Sequence, residues 1–420
     1  MSLKIVSLRI TSLAALTLLT LHAAGKFCCA ADKPVGPGQR TEVVVFNEGE
    51  RGYPTFRIPA LAVTSSGAVL AFCEARTGGD WSQIEIVGRR STDEGQTWSP
   101  IMKIADVPGV HAKNPAALRQ RGVKSGEITY NNPLVIADRE QGTVHFLFCL
   151  EYARCFYQRS EDLGRTYSPP VEITSTLEKF RPEYGWQVVA TGPGHGIRLK
   201  NGRLLVPVWL STATGANVHH PSVIATIYSD DDGKTWQRGE IITGEREPLV
   251  DPNESQAVEL ADGRVMFNIR SLSPPNRRAV AFSPDGISNW TVPAFDPALV
   301  DPICMASLCR LSTTADSDRN RLLFSNPANL ERAKGEVTPG GSRDRKNLTV
   351  RLSYDEGKTW PVSRVLEPGS SSYSDLAVAP NGTIYCLYEK RGESGNNSVY
   401  LSKFDLEWLS GGKDQLGKRE

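Results

Sequence analysis

The chain has 420 residues, and its 48 Lys and Arg residues against 47 Asp and Glu residues give a formal net charge of +1. This near-neutral balance provides no electrostatic basis for binding nucleic acid or an anionic membrane surface, so an anionic ligand would have to be held by local cations. The length is sufficient for a large hydrophobic core without disulfides.

The first 31 residues are predicted to be a secretory signal peptide. Basic residues precede an uncharged, largely apolar run over residues 10–21, and the small residue Ala31 follows. A retained anchor is one alternative, but the run is short for a bilayer span. A lipoprotein is a second alternative, disfavoured because bulky Phe27 precedes Cys28. Cleavage would leave about 389 residues with a net charge of −2, in a secreted or periplasmic protein without an integral membrane span.

Six cysteines follow this segment: Cys73, Cys149, Cys155, Cys304, Cys309 and Cys386. Most lie in apolar stretches such as FLFCLEY, where cysteine commonly acts as a small buried side chain. Their spacing matches no zinc site, and the histidines do not cluster with them. They are interpreted as mostly structural, and no metal or other cofactor is predicted.

An internal repeat indicates the architecture. The pattern Ser-x-Asp-x-Gly-x-Thr-aromatic, called the Asp box below, occurs at Ser91–Trp98, Ser160–Tyr167, Ser229–Trp236 and Ser353–Trp360, with a degenerate copy at Ser283–Trp290. The box aspartates are 69, 69, 54 and 70 residues apart. Ser and Asp side chains can bond to nearby backbone amides and Gly tolerates positive φ, so each box predicts a tight turn. Each copy has too few carboxylates to be a calcium loop.

A four-strand unit surrounds each box. In the first unit RIPALAV and AVLAFCEA predict an inner hairpin, and IEIVGRRS and WSPIMKI predict an outer one. Related phrases recur along the chain, and no segment is typical of a long amphipathic helix. The sequence therefore predicts an all-β fold, a six-bladed β-propeller over residues 32–420, in which the N-terminal TEVVVF run completes the last blade.

This arrangement also predicts where a site would lie. In an antiparallel four-strand blade, the start of strand one, the end of strand two and the loop between strands two and three share one face. Every Asp box falls on the opposite face. The charged and tyrosine side chains predicted on the first face are Arg57, Arg76, Asp80, Glu254, Arg270, Arg345, Tyr373 and Glu389.

At these residues the chain resembles a known family. The FRIPAL segment at Phe56–Leu61, combined with repeated Asp boxes, is similar to the exo-α-sialidases of bacteria and animals, glycoside hydrolases with a six-bladed propeller. The likeness continues through GDWSQ, GPGHGI, NESQ, RKNLTVRLS and YSDLA, over nearly the whole chain after the signal segment. The resemblance implies a retaining sialidase whose partners are sialylated glycans.

The resemblance also implies an anion site. Arg57, Arg270 and Arg345 match the arginine triad that binds the carboxylate of sialic acid, and Arg343 competes with Arg345 for the third place. The resemblance implies for Arg76 no more than the role of an auxiliary substrate ligand. Three guanidinium groups suit this task because each can bind a carboxylate through two parallel hydrogen bonds.

Four further matches imply the chemistry. Tyr373 matches the nucleophile and Glu254 its base, Asp80 matches the acid/base, and Glu389 matches the acid that steadies Arg57. A neutral tyrosine avoids the repulsion that a carboxylate nucleophile would meet at a carbon that already bears a carboxylate. Free tyrosine has a pKa near 10, so it requires a base.

Several alternatives stay open. The chain could be a non-enzymatic sialic-acid-binding propeller, a trans-sialidase or intramolecular sialidase, or a hydrolase of a related 2-keto sugar acid. GPGHGI is interpreted as a backbone turn, so His195 is not assigned a catalytic role. Trp81 either forms the floor of the sugar pocket or packs in the core. Linkage preference, disulfide connectivity and oligomeric state do not follow from the sequence.

Overall fold

The computed structural model describes Met1 and residues 38–138, 140–243, 249–392 and 394–417. Residues 2–31 of the predicted signal peptide lie outside the described residues. Contacts group the chain after Val35 into one compact unit.

Twenty-five β-strands run through the described residues. In chain order they are β1 (Arg40–Phe46), β2 (Thr55–Val63), β3 (Val69–Arg76), β4 (Ile84–Ser91), β5 (Met102–Lys103), β6 (Tyr130–Ala137), β7 (Val144–Leu150), β8 (Arg154–Ser160), β9 (Val171–Glu172), β10 (Val188–Thr191), β11 (Gly194–His195), β12 (Ile197–Arg198), β13 (Leu204–Ser211), β14 (Ser222–Ser229), β15 (Gln237–Thr243), β16 (Ser255–Glu259), β17 (Val265–Ile269), β18 (Arg277–Ser283), β19 (Ala294–Val300), β20 (Ser307–Ser312), β21 (Arg321–Pro327), β22 (Lys346–Ser353), β23 (Val362–Val378), β24 (Ile384–Arg391) and β25 (Asn397–Phe404).

The helices are short. They are α1 (Thr174–Glu178), α2 (Leu406–Ser410) and the 3-10 turns Glu50–Gly52 and Ala117–Arg119. In the described part of the chain no helix has the length and apolar character that a membrane span requires.

The strands form five hydrogen-bonded sheets. Their strand orders are β2-β3-β4-β5, β11-β6-β7-β8-β9, β10-β13-β14-β15 with β12 on β13, β16-β17-β18-β19, and β1-β25-β24-β23-β22-β21-β20. The seven-stranded sheet depends on the long strand β23, which pairs with β22 up to Ser370 and with β24 from Ser371 onward. Strand β1 pairs antiparallel with β25, which confirms the prediction that TEVVVF joins the last unit.

Inner strands contact one another in chain order, both between sheets and within the seven-stranded sheet. β2 contacts β6, β6 contacts β10, β13 contacts β16, β16 contacts β20, β20 contacts β23, and β23 returns to β2. The prediction of an all-β, propeller-like fold is thereby confirmed.

The hydrophobic core lies between neighbouring sheets. One cluster joins Phe72 of the first sheet to Phe146 of the second, with ring centroids 4.8 Å apart. A second joins Leu61 of the first sheet to Leu387 and Leu401 at the chain's last hairpin. Burial of these side chains holds the sheets face to face, since apolar burial contributes about 25 cal/mol per Å².

Strand register places the Asp boxes at the end of each sheet away from Arg57. In the first sheet Arg57 pairs with Glu74 near one end, whereas Val69 pairs with Ser91, the first box residue, at the other. Ser283 likewise pairs with Val265, the first residue of β17, and Ser353 pairs with Leu322, the second residue of β21. The predicted separation of the boxes from the site is confirmed.

Each box is closed by its own side chains. Asp93 Oδ1 accepts hydrogen bonds from Ser91 Oγ at 2.7 Å and from the Thr97 amide at 2.9 Å. Gly95 has φ +86°, and a Cβ there would lie 2.6 Å from Leu401, so both backbone conformation and close packing require glycine.

Candidate active site

A cavity of about 170 Å³ opens at the end of the sheets opposite the boxes. Seven of the eight predicted site residues line it: Arg57, Arg76, Asp80, Glu254, Arg270, Arg345 and Tyr373. The eighth, Glu389, is completely buried and bonded to Arg57. The structure therefore brings the whole predicted set together.

A break in strand β2 directs the Arg57 side chain towards the cavity. The register of β2 against β3 shifts after Arg57, and the next residue, Ile58, has φ +59°. Positive φ is rare for a β-branched residue. Glu389 stabilises this bend, because its Oε1 accepts the Ile58 amide at 2.8 Å and its Oε2 accepts Arg57 Nε at 3.3 Å.

Tyr373 lies at the centre of the charged groups. Its hydroxyl donates to Glu254 Oε1 at 2.6 Å and accepts from Arg270 Nη1 at 3.1 Å, while Arg270 also forms an ion pair with Glu254. The guanidinium carbons of Arg57 and Arg345 lie 5.1 and 5.4 Å from the tyrosine ring centroid. Burial, followed by the charge of Glu254, raises the pKa of Tyr373, so the phenol is neutral in the free protein.

The strand around Tyr373 differs from the prediction in one respect. Tyr373 was expected to open an inner strand, but it lies within β23, which runs continuously from Val362 to Val378. The outer strand of one unit therefore continues directly into the inner strand of the next. The expectation of a separate strand was wrong, although pairing with β24 begins at Ser371, two residues before Tyr373.

Arg345 is the candidate for the third triad arginine that lines the cavity. Its Nη1 donates to Ser372 Oγ at 3.1 Å and its Nη2 to the Ile303 carbonyl at 2.6 Å, which holds the guanidinium at the cavity wall. Arg343 instead donates to the carbonyl of Gly341 at 2.6 Å and lines a neighbouring groove. Of the two candidates, only Arg345 lines the cavity.

Arg76 and Asp80 form a linked pair beside Arg57. Arg76 donates through Nε to buried Glu74 at 2.7 Å and through Nη1 to Asp80 Oδ1 at 2.7 Å. Asp80 keeps a side chain 48% exposed, 3.9 Å from Arg57 Nη1. Partial burial acts to raise the pKa of Asp80, but Arg76 and Arg57 outweigh it and hold this pKa below its usual range.

The cavity also contains residues that the sequence analysis missed. They include five with aromatic, imidazole or amide side chains: Asn132, Tyr152, Trp209, His219 and His220. Asn132 and Tyr152 both have positive φ, and burial lowers the pKa of His219 to about 4, so this imidazole is neutral at physiological pH. Four of the five lie near the start of a first strand or in a loop between strands two and three, so the rule that located the charged residues could have found them.

Two open alternatives are decided by these contacts. Trp81 packs in the core, with ring centroids 4.7 Å from Tyr152 and 5.6 Å from His219, and it does not line the cavity. His195 Nδ1 bonds to Asp375 at 2.6 Å, within a different cavity at the box end of the sheets. His195 is therefore not a member of this site.

One cluster of potential metal ligands occurs within the described ranges. Asp138, His145 and Asp232 could offer three ligand atoms. However, Arg198 Nη1 lies 2.9 Å from Asp138 and 3.2 Å from Asp232, so a guanidinium already occupies and neutralises the space between the carboxylates.

Comparisons with known proteins agree with this geometry. Residues 118–386 match the profile of the BNR repeat-like domain. The chain is 32% identical over 94% of its length to a sialidase of Micromonospora viridifaciens. It belongs to the sialidase family.

Solved structures support the same assignment at the level of the fold. The Hadza microbial sialidase Hz136 superposes with a TM-score of 0.69 at 25% identity, covering 88% of this chain and 69% of that one. A leech intramolecular trans-sialidase superposes with a TM-score of 0.68 at 18% identity, covering 90% of this chain and 71% of that one. The chain spans 59% of the length of the Micromonospora sialidase.

Proposed function

We propose that this sialidase-family chain is a retaining exo-α-sialidase that removes terminal sialic acid from glycans through a covalent bond to Tyr373. One observation carries the proposal: the Tyr373 hydroxyl is bonded to Glu254 at 2.6 Å inside a cavity walled by Arg57, Arg270 and Arg345.

The three arginines suit the carboxylate that sialic acid carries on its anomeric carbon. Each charge-assisted hydrogen bond to a carboxylate contributes about 1.5–3 kcal/mol. Arg57 and Arg345 flank the Tyr373 ring, and Arg270 reaches its hydroxyl. A carboxylate bound by all three would therefore place the anomeric carbon beside the tyrosine oxygen.

Proton transfer within the Tyr373–Glu254 pair would generate the nucleophile. The pKa of free Tyr373 is raised, so the phenol keeps its proton until attack begins. At that point Glu254 takes the proton, the tyrosine oxygen bonds to the anomeric carbon, and the glycosidic bond breaks. Arg270, 3.1 Å from the hydroxyl, stabilises the negative charge that develops there.

Asp80 would act on the leaving group. Its half-exposed carboxyl lies at the cavity mouth, where it can protonate the departing oxygen and then take a proton from water. Water then attacks the anomeric carbon from the vacated side, the bond to Tyr373 breaks, and Glu254 returns its proton to the tyrosine oxygen. Sialic acid is released as the α-anomer, with net retention. A binding-only propeller would not need Asp80, Glu254 and Tyr373 together.

We also propose that the fold has six blades and that the protein is exported. β23 pairs with β22 along its first half and with β24 along its second half. The seven-stranded sheet can therefore be counted as two four-stranded units that share β23, which gives six blades in total.

The apolar run at residues 10–21 favours cleavage after Ala31 and a secreted or periplasmic protein. Sequencing the amino terminus of the exported protein would test the second point.

The mechanism is tested with a fluorinated sialosyl donor and the purified protein. Tyr373 should be labelled, as detected by peptide mass spectrometry, and NMR should show the α-anomer first. Tyr373→Phe should reduce turnover by about three orders of magnitude or more, because it removes the nucleophile. Tyr388→Phe is the control, since this buried tyrosine bonds to Glu42 outside the cavity. Labelling at Asp80, or first release of the β-anomer, would contradict the assignment.

A further inference from the structure

A second groove borders the catalytic cavity and shares two of its arginines. It has a volume of about 640 Å³, and Arg57 and Arg345 belong to both walls. Its other sides are the strand segment Pro368–Ser372, the residues around Arg343, and Arg391 at the end of β24. The groove is therefore a continuation of the proposed sialic acid pocket.

The charge lining this groove is strongly positive. Among its described lining residues the only carboxylate is that of Asp344, whereas five are cationic: Arg57, Arg343, Arg345, Lys346 and Arg391. Two of the cations have other acidic partners: Glu389 bonds to Arg57 at 3.3 Å, and Glu331 bonds to Lys346 at 2.8 Å.

Among the described residues, the remaining three arginines have only neutral hydrogen-bond acceptors. Arg343 donates to carbonyl oxygens and an Asn side chain, Arg345 to Ser372 and a carbonyl, and Arg391 Nε to the Gly395 carbonyl at 2.7 Å. Within the described ranges none of these guanidinium groups lies within 4.0 Å of a carboxylate. Of these three arginines, only Arg345 is assigned to the sialic acid carboxylate. Arg343 and Arg391 therefore place two positive charges beyond the pocket for the sugar that is cleaved.

The leaving group would emerge next to this groove. Asp80, the proposed acid, protonates the departing oxygen, and it lies 3.9 Å from Arg57 Nη1. Arg57 lines both the catalytic cavity and the groove, so a glycan attached to that oxygen could extend past Arg57 into the groove. Exposed Ser370 and half-buried Asn397 offer hydrogen bonds to sugar hydroxyls along the way.

We propose that this groove binds a leaving-group glycan that carries its own carboxylate or sulfate. The preferred substrates are then glycans in which the terminal sialic acid is attached to an anionic sugar, such as a second sialic acid. The inference rests on the proposed sialidase function, to which it adds the class of leaving group.

The test compares kcat/KM for three substrates: a disaccharide of two sialic acids, sialyllactose, and a sialyllactose sulfated on its galactose. The wild-type protein should favour the anionic leaving groups over sialyllactose, and this preference should fall as ionic strength rises, because salt screens exposed charges. Preference for both anionic substrates indicates general anion binding, and preference for the disialyl substrate alone indicates carboxylate recognition.

Substitutions in the groove test whether the preference for anionic leaving groups arises there. Arg391→Gln and Arg343→Gln should each reduce the disialyl-to-sialyllactose ratio of kcat/KM by about three- to fivefold, the size expected for a partly exposed charge pair. Arg165→Gln is the matched control, because it removes one exposed positive charge from an Asp box at the opposite end of the sheets.

The outcomes separate the two claims. If all three substrates are cleaved with equal kcat/KM, or if Arg165→Gln changes the ratio as much as Arg391→Gln, the groove does not bind the leaving group although the sialidase function stands. If the folded protein cleaves neither these substrates nor an aryl sialoside, the proposed function is wrong and this inference falls with it.

Discussion

Glu389→Gln tests how far the anion site depends on one buried carboxylate. Glu389 has no exposed surface, and its two oxygens accept the Ile58 amide at 2.8 Å and Arg57 Nε at 3.3 Å. Glutamine has nearly the same shape, but it removes the negative charge and turns an NH₂ donor towards one of these two donors. The variant therefore perturbs charge and hydrogen bonding with little change in volume.

The structure sets the expected size of the effect. Removing one partner of a buried ion pair costs about 3–5 kcal/mol. The Arg57 side chain is 21% exposed and lies 3.9 Å from Asp80, so partial solvation reduces the loss to about 2–3 kcal/mol. With an unfolding entropy near 2 cal/mol/K per residue, that loss lowers the Tm of this roughly 385-residue unit by about 3 °C.

Activity should fall further than stability alone explains. Arg57 would lose the contact that orients its guanidinium towards the substrate carboxylate, and one charge-assisted hydrogen bond is worth about 1.5–3 kcal/mol, or roughly tenfold or more in kcat/KM. Calorimetry and hydrolysis of an aryl sialoside measure the two effects.

A matched control shows whether the loss of activity depends on the position of the carboxylate or only on exchanging Glu for Gln. Glu367→Gln makes the same change at another buried carboxylate, which pairs with Lys390 at 2.6 Å and does not contact Arg57. It should leave kcat/KM for the aryl sialoside within about twofold, although stability falls, because neither Glu367 nor Lys390 lines the catalytic cavity. Full activity in Glu389→Gln, or equal losses in both variants, would refute the role assigned to Glu389.

Three further predictions follow from the same contacts. Because neighbouring arginines hold the pKa of Asp80 below its usual range, the protonated acid becomes scarcer as pH rises, so kcat/KM for sialyllactose should decline with pH more steeply than kcat/KM for an aryl sialoside in parallel pH–rate profiles. Arg345→Ala should reduce aryl sialoside hydrolysis at least tenfold while Arg343→Ala leaves it within about threefold, and the reverse order would show that the wrong arginine was chosen. Asp93→Ala should destabilise the fold by about 1 kcal/mol in urea without changing kcat, and in the wild type this contribution should be lost on acidification, because Thr97 hydrogen bonds lower the Asp93 pKa despite some burial.

The charged half of the site could be predicted because strand order alone determines which loops share an end. Arg76 ends β3, Arg270 directly follows β17, and Arg345 directly precedes β22, so antiparallel pairing places all three opposite the boxes. The family resemblance then supplied their roles. Neither step required knowledge of the packing.

The remaining part depends on packing between sheets. Tyr152, Trp209 and His219 lie within 5.0–6.1 Å of one another, yet they belong to different loops and strands. Tyr152 and Trp209 are buried and His219 is half-buried, and residue type alone does not distinguish them from core aromatic residues such as Phe148. Strand order accounts for the end of the sheets at which these rings lie, and packing between neighbouring sheets brings Tyr152 against Trp209 and His219.

Backbone strain links these two parts of the site. Ile58, Asn132 and Ile303 each have φ between +54° and +65° near the start of a first strand. For a residue other than glycine such a conformation costs about 1–3 kcal/mol and persists only where surrounding contacts enforce it. Those contacts are present: Glu389 binds the Ile58 amide, Glu74 binds the Asn132 amide at 2.7 Å, and Arg345 binds the Ile303 carbonyl. The acids that neutralise Arg57 and Arg76 therefore also hold the bent backbone. The same contacts fix the positions of the charged side chains and a strand geometry that local sequence preference would oppose.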